Sequence, residues 1–302
     1  MIVGKRFGGA CAPDFQATLD FCNEMSQKVQ SAQEFEAACR KVQLFLPGFD
    51  LGTMPNHLSR SSLFAPVAKG VRTFYRQAVM VTRSDCVLEY TGEQLDEADA
   101  EIIMVLIYLA RVLPLGSLIP LNRSVVLRTL CRDDGHTQYE WLHRRLKAMR
   151  EATFFLEAKK RDGSTRYKIG GTVSFNILKE LTYDDEANSY SFALDPRWVQ
   201  LFSNREYALL DWDKKMQIKR GLDMAKTLQR LIATSSDMIQ RFPLERLKAQ
   251  MVYGGRMRDY RTALTRAAAE LIRLGIIANA KIEINTRQEE QLVVWLPELV
   301  SA

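Results

Sequence analysis

Arginine and threonine side chains recur on one face of a predicted helix in the C-terminal third of the chain. With Tyr260 at the centre of the buried face, a period of about 3.6 residues turns these side chains outward. Arginine forms bidentate hydrogen bonds with guanine edges or phosphates, and threonine offers a hydroxyl and a methyl group. The face therefore predicts contact with a DNA groove, through Arg256, Arg258, Arg261, Thr262, Thr265, Arg266 and Arg273.

A second helix with the same character is predicted earlier in the chain. Its apolar face carries Tyr139, Leu142, Leu146 and Met149, and its outward face carries Thr137, Glu140, Arg144 and Lys147. On that outward face, Glu140 can accept a hydrogen bond from a cytosine amino group. A predicted hairpin follows at once, and its basic residues Lys159, Lys160 and Arg161 are expected to hold phosphates.

The elements around these two helices follow one order. A short helix precedes each of them, at Asn122 to Cys131 and at Leu244 to Val252, and a predicted β-hairpin follows each of them. A reading helix with a two-stranded wing is typical of the winged helix, which places one helix in the DNA major groove.

The sequence therefore predicts an α+β, mainly helical chain with two tandem winged-helix domains and an N-terminal helical arm. The arm and its linker take residues 1–60, the first domain 61–195 and the second 196–302. Pro196 follows Asp195 at a likely helix start, which favours a boundary there. Residues 51–69 are rich in Pro, Ser and Asn, and predict a loop that enters the first domain.

Positive charge is concentrated around the two predicted reading helices. Residues 121–175 contain 12 Lys or Arg against 6 Asp or Glu, and residues 241–273 contain 8 against 3, whereas residues 1–50 contain 5 against 6. A charged helix face is often only a solvated surface, and that alternative stays open for either helix alone. The two charged helix faces lie in the most basic parts of the chain, and this coincidence favours a nucleic-acid partner.

Several kinds of chemistry find no support in the sequence. A Gly-x-x-x-x-Gly-Lys-Ser/Thr loop is missing, and the three histidines lack metal-ligand spacing. The acidic clusters at 96–101 and 184–186 are interpreted as a helix N-terminus and a turn. The five cysteines are scattered and no apolar run reaches membrane-spanning length. We expect a cytoplasmic protein without catalytic activity, cofactor, metal or membrane contact.

From about Gln43 to Leu296, the chain resembles the TrfA family of plasmid replication initiators, known from broad-host-range IncP plasmids. The resemblance is carried by short motifs in a fixed order: Met54-Pro55-Asn56, Arg60-Ser61-Ser62-Leu63-Phe64, Tyr90-Thr91-Gly92-Glu93-Gln94-Leu95, Val199-Gln200-Leu201-Phe202, Trp212, Phe242-Pro243-Leu244, and the helix from Gly255 to Ile277.

The resemblance implies binding to directly repeated origin sites called iterons, opening of an adjacent AT-rich region into single strands, and recruitment of the host replicative helicase with its loader or initiator. It also implies a switch between dimer and active monomer that controls plasmid copy number. Family members bind the host sliding clamp through a segment whose place is taken here by Gln43, Leu44 and Leu46. Phe45 and Pro47 depart from the family pattern, and a structural role for the segment is an equal alternative.

Two other functions use the same residues. A winged-helix transcriptional repressor that binds its own promoter needs the same helices, but a two-fold dimer on a palindrome is its usual form. An enzyme acting on DNA, such as a nickase or a primase, is the third class. Two different reading faces in one chain favour an asymmetric, directly repeated site of about 20 bp over a palindrome.

Overall fold

The computed structural model describes residues 24, 27, 46, 50–66, 72–160, 162–170, 175–184, 189–202 and 206–297. The chain divides into two compact units, Met1–Gln43 and Leu44–Ala302. In the first unit, Glu24 and Gln27 are helical and exposed. The other residues of that unit, which form most of the predicted N-terminal helical arm, lie outside the described residues.

The second unit alternates strands and helices along its length. The strands are β1 (Thr53–Pro55), β2 (Phe74–Val79), β3 (Cys86–Glu93), β4 (Ile119–Leu121), β5 (Thr153–Lys159), β6 (Thr165–Ile169), β7 (Phe175–Asn176), β8 (Leu178–Asp184), β9 (Ser189–Leu194), β10 (Tyr207–Leu209), β11 (Ile239–Pro243), β12 (Asn279–Ile284) and β13 (Glu290–Trp295). The helices are α1 (Asn56–Ser59), α2 (Glu97–Ala110), α3 (Arg123–Thr129), α4 (His136–Glu151), α5 (Trp198–Leu201), α6 (Trp212–Met216), α7 (Asp223–Ile232), α8 (Leu244–Gln250) and α9 (Met257–Arg273).

Helices take 37% of the described residues and strands take 29%. The α+β expectation agrees with this mixture, but the expectation of a mainly helical chain is wrong. The sequence pattern predicts β5, β6, β12 and β13, which follow the two long amphipathic helices in the chain, but not β2, β3, β8 and β9. Yet β3 alternates strictly between buried and half-buried residues, the pattern of a strand with one covered face.

Two hydrophobic cores organise the second unit. We call the residues around the first core, from Leu46 to Trp212, the first half, and those around the second core, from Ile218 onward, the second half. Trp198 and Leu201 pack in the first core, on the C-terminal side of the expected boundary after Asp195. The expected loop at 51–69 instead contains β1 and α1, because β1 pairs with β10 and its three residues are buried.

The two halves repeat one order of elements. In the first half, α2, β4, α3, α4, β8 and β9 follow one another around the antiparallel sheet β4–β9–β8. In the second half, α7, β11, α8, α9, β12 and β13 follow the same order around the antiparallel sheet β11–β13–β12. In both sheets the last strand lies between the other two. The fold is therefore duplicated within the chain.

The first half contains an insertion in this repeat. Strands β5, β6 and β7 lie between α4 and β8 in the chain, and they join β2 and β3 in a separate five-stranded sheet. The hairpin formed by β5 and β6 is the one expected after the first reading helix, and Leu156 pairs with Ile169 there. The hairpin β5–β6 lies outside the repeat. The counterpart of β12–β13 in the first half is β8–β9.

A buried ionic cluster lies where the two halves meet. We call it the junction cluster; it consists of Glu97, Glu101, Lys215, Lys226, Thr227 and Arg230. Lys215 Nζ lies 2.6 Å from Glu97 Oε1, and Arg230 Nη2 lies 3.0 Å from Glu97 Oε2. Both cations have fully buried side chains. Because an unpaired charge is costly in such a site, the two halves depend on each other for charge neutralisation.

Burial raises the pKa of the Glu97 carboxyl, but the charges and hydrogen bonds of Arg230 and Lys215 act more strongly together and lower the pKa to about 2. Arg230 also donates hydrogen bonds to the carbonyl oxygens of Ser59 and Phe64, each at 2.8 Å. The cluster thereby fastens the segment around α1 to the second half.

Candidate nucleic-acid interface

Helix α9 buries one mainly apolar face. Tyr260 at its centre is buried, and its hydroxyl donates to Met251 Sδ at 3.5 Å, while burial raises the pKa of that hydroxyl. The other buried residues of this face are those expected from the helical period, namely Leu264, Ala267, Ala268 and Leu271. This packing fixes which side chains of α9 are left to face solvent.

The predicted DNA-reading residues of α9 fall almost entirely on its exposed side. Those that are exposed are Arg256, Arg258, Thr262, Thr265, Arg266 and Arg273, with Arg261 half-buried. At the N-terminal end, Arg256 Nε lies 3.2 Å and Arg258 Nε 3.7 Å from the carboxylate of Asp259. These two arginines remain more than four-fifths exposed, so the shared carboxylate orients them without covering them.

Two arginines of α9 have structural partners. Arg261 Nη2 lies 2.6 Å from Glu290 Oε2 at the start of β13, which joins the helix to its hairpin. Arg273 Nη2 lies 2.8 Å from Glu270 Oε1, and the hydrogen bond from Arg273 lowers the pKa of Glu270 to about 2. Their positions favour a positioning role beside the DNA contacts predicted for them.

Helix α4 shows the same division between its faces. Leu142, Leu146 and Met149 are buried, while all four of the residues expected to face outward, Thr137, Glu140, Arg144 and Lys147, are exposed. Arg150 is exposed as well. The exposed side of α4 is thus mixed in charge, whereas that of α9 carries arginines and threonines. The two candidate reading surfaces are chemically different.

The hairpin β8–β9 packs against α4. His143 Nδ1 on α4 lies 2.6 Å from the hydroxyl of Tyr190 on β9, and the Tyr183 and Tyr190 rings lie 4.5 Å apart. The tip of this hairpin, residues 185–188, lies outside the described residues. The hairpin that touches α4 through these aromatic rings is therefore β8–β9, in the position that β12–β13 holds beside α9.

The basic hairpin β5–β6 is built into the separate sheet. Lys159 is half-buried, Lys160 is exposed, and Arg161 lies outside the described residues. Lys168 Nζ on β6 lies 3.3 Å from Glu157 Oε2 on β5, so part of the positive charge of the hairpin is compensated within it. Its predicted phosphate contacts stay a prediction.

One basic residue that the sequence reading left out lies at the end of β12–β13. Arg287 is exposed at the tip of this hairpin, and its backbone N–H donates to Asn285 Oδ1 at 2.8 Å. Gln288 beside it has a φ of 62°, which completes the tight turn. The predicted β-hairpin after the second helix is the signal in the sequence that points to this residue.

Of the residues expected to bind the sliding clamp, the structure describes Leu46. Its side chain is 3% exposed and belongs to the first core. Gln43 and Leu44 lie outside the described residues. Within the described part of the chain, no helix is both long and apolar enough to cross a membrane.

The chain shares its fold with solved structures of two domains of RctB. The selenomethionine crystal structure of RctB domains 2 and 3 superposes with a TM-score of 0.52 at 11% identity, covering 80% of this chain and 98% of that chain. A second crystal structure of the same two domains gives a TM-score of 0.50 at 11% identity, with 80% and 96% covered. At this identity the similarity shows the fold alone.

A further crystal structure, of the Pi initiator protein in complex with iteron DNA, gives a TM-score of 0.46 at 12% identity, covering 72% of this chain and 100% of that chain. A score of 0.46 does not establish a shared fold. No protein-family model and no curated protein matches the sequence. The resemblance to the TrfA family therefore stays a prediction.

Proposed function

We propose that this protein is a plasmid replication initiator that binds directly repeated double-stranded origin sites without catalysing a reaction. The observation that carries the proposal is the duplicated order of elements, with an exposed, polar helix face in the same position of each half. The fold shared with two domains of RctB and the sequence resemblance to the TrfA family support it.

Each half is proposed to be a winged helix. In that arrangement α4 and α9 are the reading helices, α3 and α8 position them, and β8–β9 and β12–β13 are the wings. The matching sheet orders β4–β9–β8 and β11–β13–β12 support this assignment. It replaces β5–β6 by β8–β9 as the wing of the first half.

Two chemically different reading helices in one chain favour an asymmetric site. Arg258, Thr262 and Arg266 on α9 would read one major groove, while Glu140 and Arg144 on α4 would read another about 10 bp away. One molecule then covers about 20 bp. Successive molecules bind such sites as direct repeats, because no two-fold axis relates the two helices.

The later steps of initiation are proposed from the TrfA resemblance. Binding free energy and DNA deformation open the AT-rich region, since the sequence has no nucleotide-hydrolysis loop. The protein then recruits the host helicase, its loader or initiator, and the sliding clamp. Exchange between dimer and active monomer sets the copy number.

Footprinting on plasmid DNA beside the coding region tests the proposal. We expect an array of protected direct repeats of about 20 bp next to an AT-rich tract. Fluorescence anisotropy at several salt concentrations should give a logarithmic slope of about −5 to −7, as for six to eight neutralised phosphates.

Three results would contradict the proposal. A protected palindrome without a repeat array would indicate a repressor instead. A binding constant that does not change with salt would exclude the expected phosphate contacts. Nicked or covalently attached DNA, after incubation of supercoiled plasmid with metal ions and nucleotides, would make the protein an enzyme.

A further inference from the structure

A cavity of about 350 Å³ opens between the two halves, on residues from both of them. We call it the junction cavity. Arg60 and Arg83 contribute to it from the first half, and Arg241 and Arg246 from the second half. Among the described residues that line it, Asp237 is the one acidic residue. The lining therefore carries a clear excess of positive charge, which favours an anionic ligand.

Two arginines of the junction cavity, Arg60 and Arg246, are held in place by the fold. The Arg60 guanidinium donates a hydrogen bond to the Thr234 carbonyl oxygen, and Arg246 Nη2 donates to the Thr82 carbonyl oxygen at 3.0 Å. Each of these bonds joins the two halves. The side chains are thus fixed near one another before any ligand arrives, which reduces the entropy lost on binding.

Arg60, one of the residues that line the cavity, has a polar atom without an acceptor. Arg60 Nε is buried and has no hydrogen-bond partner among the residues that the structure describes. A buried N–H without an acceptor is unfavourable by about 1–3 kcal/mol. Burial and the nearby charge of Arg83 also lower the pKa of Arg60. An anion in the cavity would reduce the repulsion between these cations.

The rest of the lining suits a ligand that has an apolar part as well as a phosphate. We call the apolar atoms that Ile239, Phe242 and Leu247 contribute to the lining the apolar wall, and Ile239 is 43% exposed although it is apolar. The volume lies near the lower end of the range of about 300–1,000 Å³ that small-molecule sites occupy. Asp237 offers a carboxylate of the kind that accepts hydrogen bonds from ribose hydroxyls.

We propose that the junction cavity is a nucleotide-binding site. The arginines hold the phosphate, and the wall of Ile239, Phe242 and Leu247 covers the base. The nucleotide is either free or part of a DNA strand, and both present the same phosphate and base. Because the lining comes from both halves, an occupied site stabilises their observed arrangement. The inference does not depend on recognition of a repeated origin site.

Isothermal titration calorimetry on the full chain, freed of nucleic acid, tests the site with ADP, adenosine, inorganic phosphate and a short single-stranded oligonucleotide. The double variant Arg241→Ala/Arg246→Ala should weaken the binding of ADP, of the oligonucleotide or of both by about tenfold or more, because two charge-assisted contacts are lost. The matched control is Arg128→Ala/Arg220→Ala, which removes two exposed arginines that donate to backbone carbonyls outside the cavity. The control should bind like the unmodified protein.

The four ligands separate the outcomes. Weaker ADP binding in the cavity variant with unchanged oligonucleotide binding supports a free nucleotide, and the reverse supports a nucleotide within a strand. Inorganic phosphate binding as tightly as ADP would overturn the role of the apolar wall. Equal binding of every ligand by both variants, or no binding at all, would overturn the site. Duplex origin binding, measured separately, decides the proposed function instead.

Discussion

Arg144 and Arg145 are neighbours in sequence but face opposite sides of α4. Arg145 is buried, with Nε 2.6 Å from Asp99 Oδ1 and Nη1 2.6 Å from Glu93 Oε1. These contacts fasten α4 to the end of β3 and to the start of α2. Arg144 is exposed. The same side-chain type therefore serves the fold at one position and is available to DNA at the next.

At this scale we expect Arg144→Ala and Arg258→Ala each to weaken binding to the cognate site by about 1–3 kcal/mol, because each removes a contact to a base edge. Binding to unrelated DNA should change much less. Fluorescence anisotropy with cognate and scrambled duplexes measures both effects. Arg220→Ala is the control, and an equal loss on both duplexes would indicate a phosphate contact instead.

The acidic residues around the start of α2 show what sequence alone could and could not predict. A role at the helix N-terminus is confirmed for Asp96 and Asp99, which form a capping box. Glu97 and Glu101 instead belong to the junction cluster. The partners of Glu97 lie 118 and 133 positions away in the chain. No local pattern indicates such a pairing, because it depends on how the two halves pack.

Among the elements, the two long amphipathic helices α4 and α9 are predictable from the sequence, and the hairpin that packs beside α4 is not. The apolar positions of α4 and α9 recur at the helical period, so each buried face was predicted correctly. The strand pair β4–β9 joins Ile119 to Phe192, and the insertion 153–176 separates α4 from β8. The sequence pattern therefore predicts β5–β6, the nearest basic hairpin in the chain, as the wing.

The duplicated topology leads to a prediction about the hairpins. Arg287→Ala, at the tip of β12–β13, should weaken binding to all DNA alike and reduce the salt slope by about one, because it removes a phosphate contact. Lys160→Ala, on the hairpin of the separate sheet, should change the slope less. Anisotropy titrations at several salt concentrations compare the two. A larger effect of Lys160→Ala would make β5–β6 the DNA-contacting hairpin.

At the scale of the whole molecule, the junction cluster predicts a strong effect of Glu97→Gln. The variant keeps the shape of the side chain but leaves Lys215 and Arg230 buried without their carboxylate. We expect a loss of about 3–5 kcal/mol in the free energy of unfolding, measured with urea. Glu245→Gln, at an exposed position of α8, is the control. A loss below about 1 kcal/mol would contradict the role of the cluster.

The lowered pKa of the Glu97 carboxyl predicts how the free energy of unfolding depends on pH. Its pKa is lowered from 4.5 to about 2 in the folded protein, so the unfolded chain binds the proton more tightly. The stabilisation is therefore fully present above pH 4.5 and is lost as the pH falls towards 2. Unfolding at pH 6, 4 and 3 should show Glu97→Gln approaching the unmodified protein in stability. A constant difference would contradict the assignment.

The junction cluster also bears on whether the duplicated halves unfold separately. Halves joined by a bare linker would give two calorimetric transitions, one for each core. Here the loss of either half deprives the other of its counter-charges. We expect a single transition for the second unit, with equal calorimetric and van't Hoff enthalpies, and two separate transitions would contradict this coupling. Shared neutralisation of charge thus makes two copies of one fold into a single cooperative folding unit.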